Sequence, residues 1–291
     1  MEQQSFQPHN PRGILYLVPT PIGNLEDMTF RAVRILNEVQ GILAEDTRTT
    51  IKLLNHFEIA TPMQSFHEHS TPQQVTSIID RLLNGEYLAL VSDAGMPLIN
   101  DPGHPVVQEA LKQQIAVVAL PGANAALTAL IASGLNCQQF TYYGFFPRQS
   151  KEQVSLLQQV FSRNETAIFY ESPYRLKKTL SAIQKQGGEQ VRVAVARELT
   201  KRYETYWRGT VGEVLAFLEE VDIKGECVLL IDGEAIFESQ QTEDWLEWSI
   251  ETHLAHCIEK EGMSSKDAIK HVAKLRQLKK QEVYKIYHEQ R

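Results

Sequence analysis

Short, strongly apolar segments alternate along the chain with segments that have the spacing of amphipathic helices, and this alternation restricts the fold more than any other feature. The first apolar segment, Ile14 to Val18, ends at Pro19, and a helical pattern follows from Thr29 to Asn37. The same succession continues to about residue 120. It predicts a largely parallel sheet that is covered by helices.

A second set of strands and helices follows residue 122 and ends near Gly233. The predicted strands of this set are residues 140–143, 167–170, 191–196, 203–208 and 227–231. The last of them are closely spaced, which predicts antiparallel pairing and a mixed sheet. We therefore predict an α/β fold with a disordered arm (1–12), an N-terminal domain (13–122), a C-terminal domain (123–236) and a helical tail (237–291). No Ser/Gly-rich linker separates the two α/β domains, so we expect them to pack closely.

The composition is that of a chain with a sizeable core, since 43% of its 291 residues are hydrophobic and 22% are charged. Its three cysteines cannot all pair, which excludes a disulfide scaffold and favours the cytoplasm. The polar N-terminus lacks the apolar segment of a signal peptide. Pro121 and Asn124 interrupt the longest apolar stretch, so we expect no membrane span.

Charge is distributed unevenly. The formal net charge of -7 predicts no general affinity for nucleic acid, but residues 263–291 contain eight basic and three acidic residues. Two apolar helical stripes in this region, separated by a break at residues 276–278, predict a helix-turn-helix in the tail. The candidate RNA-binding residues are Lys266, Lys270, Lys274, Arg276, Lys279 and Lys280. The same pattern also fits the solvated face of a dimerising or capping helix pair.

Several familiar motifs are absent from the sequence. The sequence contains no GxG, GxxxxGK[ST] or GxSxG. It therefore lacks the usual dinucleotide-binding fingerprint, the P-loop and the nucleophile elbow. His67-Glu68-His69 and the trio His253, His256 and Cys257 contain metal-ligand residue types. Because neither has a partner cluster, we interpret both as polar structural features and predict no metal site.

Two segments at predicted strand ends are the strongest candidates for a ligand site. Residues 90–103 and 119–126 each lead from a strand through small residues and a tight turn into a helix. Small residues let a ligand approach the backbone closely, and the free amides of a helix start suit a carboxylate. The absence of a phosphate fingerprint favours a compact zwitterionic ligand. Each segment is also compatible with a plain strand-to-helix turn.

An ordered set of motifs resembles a known superfamily. The motifs are VPTPIGNLEDMTFRA (18–32), AEDTRTT (44–50), FHEHS (66–70), VSDAGMPLINDPG (91–103), LPGANAALTAL (120–130), FYESPYRL (169–176) and ARELTKRYET (196–205). With them the chain resembles the tetrapyrrole-methylase-like superfamily, and most closely its branch of small-subunit ribosomal RNA methyltransferases. The resemblance covers about residues 13–233 and continues weakly through the tail. Ser70 and Met96 depart from the usual Asn and Thr of the branch but keep the approximate loop shape.

The resemblance implies a non-Rossmann methyltransferase that binds S-adenosylmethionine (SAM) in the cleft between two α/β domains. The cofactor contacts that it implies are Pro21, Ser92, Asp93, Ala94, Gly95, Met96, Pro121, Gly122, Asn124, Ala125, Tyr170 and Ala196. The implied substrate is the ribose 2′-hydroxyl of a cytidine in the decoding region of small-subunit rRNA, within the assembled subunit. The implied oligomer is a homodimer.

Methyl transfer to a hydroxyl requires in-line approach and a nearby proton acceptor, but no metal. The candidates at positions that match family motifs are Asp46, Glu171 and Glu198 as acceptors, with Arg48, Arg197 and Lys201 as phosphate or oxyanion partners. We favour Asp46 with Arg48, although each of these residues also fits a structural ion pair. Two other functions stay open: methylation of a tetrapyrrole or a protein side chain, and a non-catalytic RNA-binding assembly factor. The basic tail favours an RNA substrate over a small molecule.

Overall fold

The structure is a computed structural model that describes residues 3, 5, 12–233, 248–260, 262–276 and 278–289. Most of the predicted N-terminal arm and residues 234–247 lie outside these residues. Within the described residues the α/β class is confirmed, with two five-stranded sheets followed by a group of helices.

The first sheet is entirely parallel and has the strand order β3-β2-β4-β1-β5. Its strands are β1 (Ile14–Val18), β2 (Gly41–Ala44), β3 (Met63–Ser65), β4 (Leu88–Val91) and β5 (Ala116–Ala119). The helices that cover it are α1 (Phe30–Glu38), α2 (Thr47–His56), α3 (Pro72–Leu83) and α4 (His104–Lys112). The edge strand β3 was not predicted, because Met-Gln-Ser is short and partly exposed and has no apolar run.

Both faces of the first sheet are buried. On β1, Ile14 and Val18 pack in a cluster with α1 and α2, whereas Leu15 packs in another cluster with α3 and α4. A strand that is covered on both faces needs apolar residues at successive positions. This burial explains why these strands appear in the sequence as continuous apolar runs.

The second sheet is mixed, as predicted, with the order β6-β7-β10-β8-β9. Its strands are β6 (Phe140–Phe145), β7 (Thr166–Glu171), β8 (Arg192–Arg197), β9 (Thr205–Thr210) and β10 (Cys227–Asp232). Only the β6–β7 pair is parallel. The accompanying helices are α5 (Ala125–Ile131), α6 (Ser150–Arg163), α7 (Pro173–Gly187) and α8 (Val211–Glu219). Helices α6 to α8 cover one face, and α5 covers the other.

Helix α5 joins the two sheets directly. It begins five residues after Leu120, which follows β5, yet its buried residues Ala126, Ala129 and Leu130 pack against strands of the second sheet. Ile22, from the loop after β1, packs against the same cluster. The loops at the end of the first sheet therefore lie against the second sheet, in line with the expected close packing.

The described part of the tail folds into a small bundle of α9 (Ile250–Glu259), α10 (Ser265–Leu275) and α11 (Lys280–Glu289), with its own apolar cluster. Helices α10 and α11 are the two predicted helices. Arg276 fastens the bundle, because its guanidinium donates to the Trp248 carbonyl oxygen at 2.7 Å and to His253 Nδ1 at 3.2 Å. None of the three cysteines, Cys137, Cys227 and Cys257, forms a disulfide. In the part of the chain that is described, no helix is both long and apolar enough to cross a bilayer.

Gly103 fixes the path of the long loop between β4 and α4. It is the N-cap of α4 and has a φ of +129°, a conformation that L-residues rarely adopt. A Cβ atom at this position would clash with Cδ2 of Leu90, which is buried in the first sheet. Both conformation and space therefore require glycine here.

We predict that Gly103→Ala lowers the free energy of unfolding by about 3 kcal/mol, because backbone strain and overpacking add. Gly134→Ala is the matched control, since Gly134 also has a positive φ (+80°) but a Cβ atom added there would have no neighbouring atom within 4 Å. The control should cost only about 1 kcal/mol. Denaturant unfolding of both variants tests this, and equal losses would contradict the steric account.

Candidate functional site

Two strand-end loops of the first sheet are bonded to each other. Thr20, after β1, and Gly95, after β4, exchange backbone hydrogen bonds of 2.9 and 3.0 Å. The Ser92 hydroxyl also donates to the Gly95 carbonyl oxygen at 3.0 Å. Parallel strands place these loops at one edge of the sheet, where open α/β sheets bind ligands. The bonds hold Ala94, Gly95 and Met96 in place.

A cavity of about 880 Å³ lies between this edge and the second sheet. The first domain contributes residues 94–96, 99–101 and Ile22, and the junction contributes Asn124 and Ala125. The second domain contributes residues 145–148, 170–173, 175, 199 and 225–228. A volume of this size is in the range of small-molecule and cofactor sites.

Half of the predicted cofactor-binding residues line this cavity. They are Ala94, Gly95, Met96, Asn124, Ala125 and Tyr170. The other six do not line it: Pro21, Ser92, Asp93, Pro121, Gly122 and Ala196. Some of these support the wall from behind. Gly122 packs against Pro19, which lies 2.6 Å from the position of a Cβ atom, and Ala196 pairs with the lining residue Val228.

Asp101 lines the cavity and was not among the predicted catalytic residues. Burial raises its pKa from 3.8 to about 7, and the neighbouring carboxylates of Glu45 and Asp93 contribute to the shift in the same direction. A carboxyl group with this pKa exchanges a proton near neutral pH. The sequence places Asp101 in the predicted ligand loop, but no local pattern reveals how deeply it is buried.

The structure argues against Asp46 as the proton acceptor. Asp46 caps α2, and its two oxygens accept three hydrogen bonds from Arg48, at 2.8 Å from the backbone and at 3.0 and 2.7 Å from the guanidinium. The side-chain hydrogen bond from Arg48 is the main reason that the pKa of Asp46 is lowered to about 2. Neither residue lines the cavity. The pair is a helix cap with an attached ion pair, so the Asp46 carboxylate is too weak a base to accept the proton of a hydroxyl.

Glu171 lines the cavity, but its carboxylate is occupied within the protein. The carboxylate is fully buried, and its Oε2 accepts a 2.6 Å hydrogen bond from the Thr179 hydroxyl. Its Oε1 accepts from the Ser172 amide at 2.8 Å and lies 3.5 Å from the Arg175 guanidinium. These contacts fix the start of α7 at the cavity wall. We assign Glu171 a structural role.

Glu198 and Lys201 form a network beside the cavity. Lys201 Nζ donates to Glu198 Oε1 at 2.8 Å and to Glu226 Oε2 at 2.9 Å. The hydrogen bond from Lys201 is the main cause that lowers the pKa of Glu198. Arg197 donates to the Lys224 carbonyl oxygen. Of these residues only Glu226 lines the cavity. The network therefore supports the cavity wall from behind, through the bond from Lys201 to Glu226.

At the start of α5, where a carboxylate site is expected, the protein itself occupies one of the backbone amides. Asn124 Oδ1 accepts from the Leu127 amide at 2.9 Å. Elsewhere at the junction, the Tyr142 hydroxyl donates to Asn100 Oδ1 at 2.7 Å and so ties the second sheet to the loop that carries Asp101. The junction between domains is therefore polar and specific.

The histidine motifs are engaged in local structure. His67 Nδ1 accepts from the His69 amide at 3.2 Å within a turn that the Ser70 hydroxyl closes, and His253 accepts from Arg276. Among the described residues, no three His, Cys, Asp or Glu side chains are grouped as a metal site. In the tail, the five predicted lysines are exposed: Lys266, Lys270, Lys274, Lys279 and Lys280. Arg276 differs from them, since it is half-buried and holds the bundle together.

Comparison with known proteins gives consistent relatives. A family profile described as Tetrapyrrole (Corrin/Porphyrin) Methylases matches residues 14–215. A protein of Bacillus subtilis (strain 168) named Ribosomal RNA small subunit methyltransferase I is 50% identical over 287 residues, which cover 98% of each chain. A protein of the same name from Streptococcus pyogenes serotype M1 is 48% identical over 290 residues and covers 99% of each chain.

Solved structures share the fold at low sequence identity. Diphthine synthase has a TM-score of 0.61 at 12% identity, covering 78% of this chain and 95% of that one. Uroporphyrin-III C-methyl transferase from Thermus thermophilus, complexed with S-adenyl homocysteine, has a TM-score of 0.52 at 15% identity, covering 75% and 97%. The profile spans well over half of the chain and the full-length relatives are about half identical to it, so the chain belongs to the tetrapyrrole methylase family.

Proposed function

We propose that this methyltransferase uses SAM to methylate the ribose 2′-hydroxyl of a cytidine in the decoding region of small-subunit rRNA. The observation that carries the proposal is the position of Asp101, a carboxyl group with a pKa of about 7 at the wall of a cofactor-sized cavity. The names of the full-length relatives supply the class of substrate, small-subunit rRNA. The cytidine and its decoding-region position rest on the motif resemblance.

The cavity wall fits SAM. Gly95, with a φ of +87°, and Ala94 and Ala125 leave the backbone accessible to a ligand. Ile99 and Val228 offer apolar contacts for an adenosine group. SAM supplies an electrophilic methyl group when it is bound.

The protein contributes position and a proton acceptor. A ribose hydroxyl becomes an adequate nucleophile only when its proton has a destination, and a base is most effective when its pKa is near the working pH. Asp101 meets this condition, whereas Asp46 does not. The Asn100–Tyr142 hydrogen bond and the rigid Gly103 turn hold the Asp101 loop on both sides.

The tail is proposed as an RNA contact. The family profile ends at residue 215, but the relatives named for small-subunit rRNA match nearly the whole chain, including the tail. Five exposed lysines on α10, α11 and their connection would contact phosphates: Lys266, Lys270, Lys274, Lys279 and Lys280. We leave Arg276 out of this set because its donors are used inside the bundle.

We also propose a homodimer that acts on the assembled small subunit in the cytoplasm. Leu127 and Ile131 on α5 are 44% and 76% exposed, and a second copy of the chain would cover them. A cytoplasmic location is in line with three cysteines that form no disulfide.

Transfer of labelled methyl from SAM to small subunits, free rRNA and total protein tests the proposal. We expect label in small-subunit rRNA, mapped by nuclease digestion to the ribose of one cytidine. Label in protein or in a small molecule, or SAM binding without transfer, would support the alternative functions instead.

In the same assay, at saturating SAM, kcat/KM should rise with pH through about 7, because Asp101 accepts a proton only when it is ionised. Asp101→Asn should lower the maximal rate about 100-fold or more and remove this pH dependence. Glu45→Gln is the control: it removes a charge that raises the pKa of Asp101, so the midpoint should move to lower pH with the maximal rate retained. A fully active Asp101→Asn variant would exclude the acceptor role.

Binding to rRNA should weaken with salt because phosphate contacts release counterions. The triple variant Lys266→Gln, Lys270→Gln, Lys274→Gln removes three positive charges from α10. It should reduce the slope of log K against log salt by about 2. The control is a triple glutamine variant at Lys52, Lys178 and Lys185, which are exposed on the two domains. It removes the same number of positive charges away from the tail. Equal slopes for the two variants would show that the tail does not contact the RNA.

A further inference from the structure

Two exposed aromatic residues, one in the cavity lining and one between two lining residues in the sequence, are accounted for neither by the fold nor by the proton transfer. Phe145 lines the cavity and is 62% exposed. Tyr174 lies between the lining residues Pro173 and Arg175 and is 91% exposed. Single exposed apolar residues are ordinary, but two aromatic rings at one cavity mouth indicate a surface that a ligand covers.

A cationic side chain accompanies these rings. Arg148 also lines the cavity and is exposed, and among the described residues it forms no ion pair or hydrogen bond. The formal charge of the chain is -7, so the unpaired charge of Arg148 at the cavity wall is a local departure from the average.

The rings are held by the fold. Arg175, at the start of α7, donates to the carbonyl oxygens of Phe146 and Pro147 at 2.8 and 2.9 Å. These bonds join the helix that carries Tyr174 to the segment that carries Phe145. The Phe145 ring also lies 6.2 Å from the Tyr170 ring inside the cavity. A surface fixed in this way binds a ligand with little ordering cost.

We propose that Phe145, Arg148 and Tyr174, here called the cavity rim, bind the unstacked bases that flank the target nucleotide in single-stranded RNA. This inference rests on the proposed function. In single-stranded RNA the target nucleotide can leave the base stack to bring its ribose hydroxyl to the cavity, and its neighbours then lose a stacking partner. Aromatic faces and a guanidinium plane replace that partner, and they do so without strong sequence preference.

Two readouts on the full chain test the rim. The first is KM for small subunits in the methyl-transfer assay. The second is binding of two fluorescein-labelled RNA decamers with a central cytidine, one intact and one with abasic nucleotides on both sides of the cytidine. The variants are Phe145→Ala, Tyr174→Ala and Tyr174→Phe. Phe217→Ala is the matched control, since Phe217 is 57% exposed on α8 in the same domain but does not line the cavity.

Removal of either ring should raise KM and weaken binding of the intact decamer about fivefold or more, and Tyr174→Ala, which does not alter the cavity lining, should leave SAM affinity by calorimetry unchanged. Tyr174→Phe keeps the ring and should behave like wild type, as should Phe217→Ala. The abasic decamer should bind wild type and ring variants equally. Unchanged KM in both alanine variants, or the same loss on the abasic decamer, would overturn the rim proposal. Absence of methyl transfer to rRNA by wild type would instead overturn the proposed function.

Discussion

The hydrogen bonds between Thr20 and Gly95 are the contact on which the site depends. They join the loops that follow two neighbouring parallel strands, and the second of those loops carries both the small residues of the cavity wall and Asp101. From the same edge the chain passes into α5, which packs on the second sheet. Because the connection is short, the second sheet lies directly over the joined loops, and the cavity is the space between them.

Electrostatics then separates acids that are similar in the sequence. Asp46 and Asp101 both follow strands of the first sheet, yet their pKa values move in opposite directions. Asp46 is bound by Arg48, which stabilises its ionised form and lowers its pKa to about 2. Asp101 loses water by burial and faces other carboxylates, which destabilises its ionised form and raises its pKa to about 7. In the proposed mechanism, environment rather than residue type determines which carboxyl group accepts the proton.

Periodicity predicted the elements whose signal is local. Strands such as β1 and β4 are buried on both faces and therefore appear as apolar runs, and the close spacing of the last strands predicted their antiparallel pairing. The strand β3 is too short and too exposed to give such a signal. The roles of Asp101 and Arg276 depend on contacts with distant parts of the chain. For this reason the match to family motifs favoured Asp46 as the acceptor, and charge and spacing grouped Arg276 with the exposed lysines.

The central claim is that the cavity between the two sheets holds SAM, and calorimetric titration of SAM into the full chain tests it most directly. Gly95→Val places a branched side chain at the cavity wall, where the φ is +87° and Ile22 is 3.3 Å from the Cβ position. This account predicts binding of SAM by wild type, affinity reduced about tenfold or more in Gly95→Val, and wild-type affinity in Gly134→Val, whose site has open space. Equal affinity in a folded Gly95→Val variant and wild type would contradict it.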